Sequence, residues 1–163
     1  MTEKQLTNRD IAEIFETVAD MLQLKGENIH RYLSYRRAGE TIRELPRDLR
    51  AIAAEDGLTD ITNIGKTLAD KINEMLDTGK LEFFERLKAE IPPGVVEIMH
   101  INGVGPKKAK LFWDELNVTS IDDLKAAAEA GKLAELKGMG KKSQQKVLDM
   151  FETVLAGESA RRS

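Results

Sequence analysis

Three segments of the chain carry glycine, an apolar residue and lysine in a repeated arrangement. They are Ile61-Thr62-Asn63-Ile64-Gly65, Ile101-Asn102-Gly103-Val104-Gly105 and Leu136-Lys137-Gly138-Met139-Gly140. Lysines follow each closing glycine: Lys66; Lys107, Lys108 and Lys110; Lys141 and Lys142. The chemistry this composition supports is phosphate binding. Glycine, and Asn63 in the place of one, allows a sharp reversal with positive φ. The middle apolar residue pins the turn. The helix that follows starts with unpaired N–H groups and the positive end of its dipole. Pro106 suits a first helical position. An anion is stabilised at such a start, and adjacent lysines add charge that is blind to base sequence. A Walker A loop is excluded at GMGKKS, because Glu135 stands where its first glycine is required. A plain helix–turn–helix with solvated lysines is the alternative for any one segment taken alone.

Bulk charge argues the other way. The 163 residues carry a formal net charge of −3, whereas nucleic-acid-binding domains are usually basic. The positive charge is instead concentrated locally. Residues 25–50 hold seven bases against four acids, and lysines gather near positions 107–110 and 137–146. Cysteine is absent, so disulfides and thiolate zinc sites are excluded. No apolar run reaches a membrane span, and the polar N-terminus has no signal-peptide core. An intracellular, cytoplasmic setting is expected, associated with the nucleoid if the source is prokaryotic.

The elements that must position these turns read as helices throughout, so the expected fold class is all-α. Asn8 is the expected cap of a first helix and Asn28 of a second, with Gly26 between them. A short helix over Leu49 to Ala53 ends at Gly57, DTGK at 77–80 is a turn, and a helix follows over about 81–90. IPPG at 91–94 is the clearest break. Two small helical subdomains are therefore expected, over 8–90 and 94–156, with a frayed tail over 157–163. Ser120 and Asp123 form a capping-box-like start. An apolar residue stands seven positions after each closing glycine (Ile72, Phe112, Val147). Alanine stands four after the first two (Ala69, Ala109), and Gln144 takes that place in the third.

The three segments look like helix-hairpin-helix DNA-binding motifs. In order and content, NIHRYLSYRRAGETI, GKTLADKINEMLDTGKLEFFERLK and INGVGPKKAK resemble the N-terminal part of X-family DNA polymerases, over roughly residues 8 to 155. The resemblance implies a lyase-like helical domain followed by a fingers-like region. In that family a lysine after the first hairpin forms a Schiff base with the C1′ aldehyde of a 5′-deoxyribose phosphate, and β-elimination follows. By position that lysine is Lys71. Arg31 and Tyr35 match the family's 5′-phosphate pocket, and His30 matches a histidine near the template break. Thr67 and Phe83 stand where lysines occur, with Lys66 adjacent to Thr67, and Asn63 replaces a glycine. The family's hairpins also hold a monovalent cation, Na+ or K+, on backbone carbonyls; here these belong to Thr59, Ile61 and Ile64, and to Met99, Ile101 and Val104. No other cofactor is implied. The family's palm would follow this region, so nucleotide transfer is not expected from these residues. The first expectation is a non-sequence-specific module for gapped or 5′-phosphorylated DNA in repair. The alternatives are a deoxyribose-phosphate lyase and a helical protein-interaction scaffold.

Overall fold

The computed structural model describes residues 5–162, with side chains described through Phe151. Among these residues there are nine α-helices, two 3-10 turns and no strand. The chain folds as two compact units, one ending at Glu90 and the other starting at Ile91.

The first unit starts with a capping box. The Thr7 hydroxyl accepts the Asp10 N–H, and the Asp10 carboxylate accepts the Thr7 N–H. This places the cap one residue before Asn8, because only a cap three residues from an acidic side chain allows the reciprocal pair. Asn8, released from capping, reaches across the chain: its amide donates to the Arg47 carbonyl and accepts from the Leu49 N–H, both at 2.8 Å. Helix α1 (Asn8–Leu24) ends before left-handed Gly26, and Asn28 caps α2 (Ile29–Arg43).

The two helices run antiparallel. Arg36 meets Asp20 at 3.0 Å, and Arg43 grips Glu16 at 2.7 Å, one to two turns further along each helix in opposite directions. They also touch closely. A β-carbon on Gly39 would stand 2.8 Å from Glu16 Cγ and 3.1 Å from the Ala12 carbonyl. The seam is filled by Ile11, Phe15, Val18, Tyr35 and Ile42, all buried. A short α3 (Leu49–Ala54), a 3-10 turn at Leu58–Asp60, α4 (Lys66–Thr78) and α5 (Glu82–Glu90) complete the unit.

These pairings revise the reading of charge. Of the bases in residues 25–50, Arg31 lies against Glu27, Arg36 against Asp20, Arg43 against Glu16 and Arg47 against Glu55, while Lys25 bonds Glu90. Arg50 donates to the Leu76 carbonyl. Acids of α1 meet Arg36 and Arg43, and Glu27, Glu55 and Glu90 meet Arg31, Arg47 and Lys25, so the cluster read along the chain is not a free positive patch.

The second unit comprises α6 (Pro93–Met99), α7 (Gly105–Leu116), α8 (Ile121–Glu129), a 3-10 turn at Leu133–Glu135 and α9 (Lys141–Arg162). Its core is Val95, Ile98, Phe112, Val118, Leu124 and Leu133. Ser120 caps α8 by accepting the Asp123 N–H, but Asp123 reaches back one residue further than a capping box would, to the N–H and hydroxyl of Thr119. Helix α9 continues through 162, across the stretch expected as a frayed tail. Its residues there, apart from Gly157, are compatible with helix. Ser163 lies outside the described residues, and the Leu155 side chain, expected on the apolar face of α9, lies outside the described side chains.

Candidate nucleic-acid interface

The first and third hairpins share one local geometry. Each has a 3-10 turn, a left-handed residue and then a glycine at which the helix starts. In the first, Asn63 takes the left-handed position with φ of 69°. It does the glycine's conformational work and adds a brace, since its side-chain amide donates to the Thr41 hydroxyl on α2 at 3.1 Å. In the third, Gly138 takes that position with φ of 81°. The second hairpin differs, because both Gly103 and Gly105 are left-handed, at 89° and 74°.

The closing glycines therefore fall into two kinds. Gly105 is required by its φ. Gly65 has φ of −89°, ordinary for any residue, and Gly140 also lies outside the left-handed region. Nothing stands within 4 Å of a β-carbon built on either. Neither conformation nor packing demands glycine at these positions. Their remaining physical effect is to leave the first turns of α4 and α9 bare to a close-approaching ligand.

The apolar pins follow the sequence reading unevenly. Ile64 and Val104 are buried beneath their turns, and so are Ile72, Phe112 and Val147 on the following helices. Met139 is only half-buried. It lines a cleft of about 400 Å³ together with Gly103, Lys108, Lys146 and Val147. Ala69 and Ala109 are buried where helices approach. Gln144, at the equivalent place in the third hairpin, is half-buried and accepts the Ala134 N–H at 3.1 Å, tying α9 to the turn before it.

The lysines are not equivalent either. Lys66, Thr67, Lys107, Lys141 and Lys142 are exposed at the helix starts. Lys108 is half-buried and donates to the Gly103 carbonyl at 3.2 Å, closing its own hairpin. Lys110 pairs with Asp114 at 2.8 Å. The charge knot read at 107–110 is thus Lys107, with Lys108 tied back and Lys110 offset.

Of the residues matched to the lyase pocket, Lys71, Arg31 and Tyr35 gather around Phe83. The Lys71 Nζ lies 4.8 Å from the ring centroid of Phe83, and the Arg31 guanidinium carbon 5.5 Å from it. Tyr35 is 5% exposed, held between Phe15 at 5.7 Å and Phe83 at 6.1 Å. Its ring is a core element first, and burial pushes its hydroxyl pKa up against a smaller opposing effect of Arg31. His30 is exposed at the start of α2, its backbone N–H donated to the Asn28 cap.

Of the carbonyls implied as cation ligands, that of Thr59 lies in the 3-10 turn and that of Met99 at the end of α6, and the others lie in the hairpin turns. Ile61 accepts the Ile64 N–H at 3.1 Å and Ile101 accepts the Val104 N–H at 3.0 Å, which leaves each one further lone pair. A neutral carbonyl set of this kind suits a hard monovalent ion, and among the described residues no cluster of His, Asp or Glu could hold a metal. No helix among them is long and apolar enough to cross a membrane.

Sequence reasoning missed the positioning roles of three side chains: Thr41 beneath Asn63, Gln144, noted only as a replacement for alanine, beneath the third hairpin, and Glu74, which accepts the Glu82 N–H at 2.7 Å. None carries a motif, since each acts on a partner distant in sequence or in another element.

Both units match known families. Residues 6–81 match the family model of the helix-hairpin-helix domain, and residues 95–152 match that of the SAM-like helix-hairpin-helix tandem. The chain is 35% identical over 140 residues to the DNA polymerase/3′-5′ exonuclease PolX of Bacillus subtilis (strain 168), covering 86% of this chain and 24% of that protein. It is 30% identical over 119 residues to DNA polymerase lambda of Arabidopsis thaliana, covering 72% of this chain and 22% of that one. The chain thus spans about a quarter of the length of these relatives.

Proposed function

Since the chain is built from helix-hairpin-helix domains and resembles the N-terminal region of X-family DNA polymerases, we propose that it is a DNA-binding module that holds backbone phosphates without reading sequence, at gapped or 5′-phosphorylated sites in DNA repair. The observation that carries this reading is the pair of closing glycines, Gly65 and Gly140, which neither φ nor packing requires. Each opens a helix that begins with an exposed lysine, Lys66 or Lys141. A phosphate oxygen approaching there meets backbone N–H groups, the helix dipole and an ammonium together. Carbonyls at Thr59, Ile61 and Ile64, or at Met99, Ile101 and Val104, are the groups that would hold a monovalent cation, whose charge would add to the attraction for phosphate.

Fluorescence anisotropy on gapped duplexes of unrelated sequence tests this. Equal affinities and a steep fall of affinity with salt are expected. Absence of binding at low salt would remove the proposal.

A second reading is favoured by the placement of Lys71, half-buried against Phe83 and sharing that ring with Arg31. In the lyase reading the Lys71 amine attacks the C1′ aldehyde of a 5′-deoxyribose phosphate and water leaves as the imine forms. Loss of a C2′ proton then expels the 3′ phosphate, and the imine is hydrolysed. Borohydride reduction on an incised abasic duplex traps that imine. A covalent adduct lost in Lys71→Ala supports the enzyme; DNA binding with no adduct leaves the module alone.

A further inference from the structure

Phe83 stands where the family resemblance places a lysine, yet it is the residue around which the cations gather. It sits second in α5, and its angle is set by α4. The Glu74 carboxylate accepts the Glu82 N–H at 2.7 Å, standing in for an N-cap from the neighbouring helix. The Thr78 hydroxyl lies within the turn, 2.7 Å from the Glu74 carbonyl and 2.9 Å from that of Lys80, and has its single proton to share between them. Glu74 lies one helical turn after Lys71, so the same stretch of α4 that carries Lys71 also fixes Phe83 beside it.

On its other side the ring leans on the core. Phe83 contacts Tyr35, and Tyr35 contacts fully buried Phe15 edge-on at 73°. Three rings thus run from the α1–α2 seam to the surface and end at Lys71 and Arg31. Both cations are within the roughly 6 Å over which a ring face attracts positive charge. A lysine at position 83 would repel them both. The ring attracts both, and it gives Arg31 a second anchor besides Glu27, 3.4 Å away.

We propose that Phe83 is a positioning residue that holds Lys71 and Arg31 together as a cation pair for a terminal phosphate monoester. The pair suits a monoester because that group carries a charge of about −1.5 to −2 near neutrality, whereas an internal phosphodiester carries one. Arg31 can take two oxygens through its planar fork, and Lys71 adds a point charge. This inference rests on the proposed recognition of 5′-phosphorylated ends and names the side chain that organises it.

The test compares gapped duplexes that differ only in a 5′-phosphate or a 5′-hydroxyl at the gap, with the affinity ratio as readout. Phe83→Leu keeps an apolar side chain but removes the ring face; Phe83→Tyr keeps the ring. The expected ratio falls about fivefold in Phe83→Leu and stays within about twofold of wild type in Phe83→Tyr. Thermal melting identifies any loss of fold, and Phe83→Met, a strong helix former, replaces the leucine variant if that one melts early. A ratio unchanged in a folded Phe83→Leu overturns the inference. An NMR measurement separates its failure from that of the underlying reading. The Lys71 ε-methylene protons, shifted upfield by the ring in the ligand-free protein, should move back in Phe83→Leu. If the shift is present but wild type shows no preference for the 5′-phosphate, the end-recognition reading fails and takes the inference with it. If the preference is present but the ring shift is not, the inference alone fails.

Discussion

Gly94 offers a perturbation confined to one unit. It is the second residue of α6, and a β-carbon there would lie 2.0 Å from the Thr119 carbonyl oxygen, 2.9 Å from its carbonyl carbon and 3.0 Å from Ser120 Cα. All three are backbone atoms at the cap of α8, so no rotamer relieves the contact. Restoring an ordinary carbon–oxygen separation of about 3.3 Å requires a shift of roughly 1.3 Å. Overpacking of a rigid backbone seam belongs at the upper end of the usual range, about 3 kcal/mol. Against this, alanine gains about 1 kcal/mol over glycine inside a helix. The clash wins, and Gly94→Ala should lose about 2 kcal/mol.

A unit of about 70 residues has roughly 4 to 11 kcal/mol of stability in all, and the loss should lower its melting temperature by roughly 8–16 °C. Trp113 on α7 is the sole tryptophan of the chain, so its emission reports this unit directly. Above the lowered transition the second and third hairpins would be lost, and the salt slope of DNA binding should become shallower. A Trp113 transition unchanged or raised in Gly94→Ala would refute the reasoning, because the propensity gain would then have met no opposing contact.

Further outcomes are expected at the glycines, the lysines and Tyr35. Gly65→Ala and Gly140→Ala should leave melting unchanged or raise it slightly while lowering DNA affinity several-fold by anisotropy. Gly103→Ala, at φ of 89°, should itself cost about 1 kcal/mol of stability. Lys107→Glu should weaken binding and make the log–log salt slope about 0.9 units shallower if this lysine meets one phosphate, whereas Lys108, tied back to the Gly103 carbonyl, should contribute less. Lys110→Gln, which loses only a side chain already paired with Asp114, should change that slope little. The Tyr35 hydroxyl has its pKa raised by burial, so the unfolded chain loses this proton first as pH rises past about 10. The native state then binds more protons than the unfolded one, and stability contributed below that pH is lost above it. Denaturant midpoints between pH 9 and 11 should fall in wild type and fall less in Tyr35→Phe.

Helix content, the three turns and the buried residue seven positions after each closing glycine were legible in the sequence, because each rests on local conformation or on helical period. Other features depend on competition or on distance. Thr7 displaced Asn8 as a cap because Asp10 completes a reciprocal pair with it, and Asn8 then became a tertiary bridge. The bases of residues 25–50 looked like a nucleic-acid footprint until the antiparallel packing of α1 and α2 set acids against Arg36 and Arg43 and Glu27, Glu55 and Glu90 met three others. Charge counted along a chain measures a surface field only where the fold leaves those charges unpaired.

The glycines carry the same lesson to the candidate site. By sequence, the second hairpin is the most complete, with two glycines, a proline and three lysines. In the fold its two glycines are both accounted for by positive φ, one of its lysines closes the turn and another is paired. The first hairpin, with asparagine for its opening glycine, keeps a closing glycine that no backbone angle explains. Motif completeness records how tightly a turn is specified. It does not by itself record where a ligand comes close. The position at which glycine is unnecessary for folding is the sharper indicator of contact, and it directs attention to Gly65 and Gly140 ahead of Gly105.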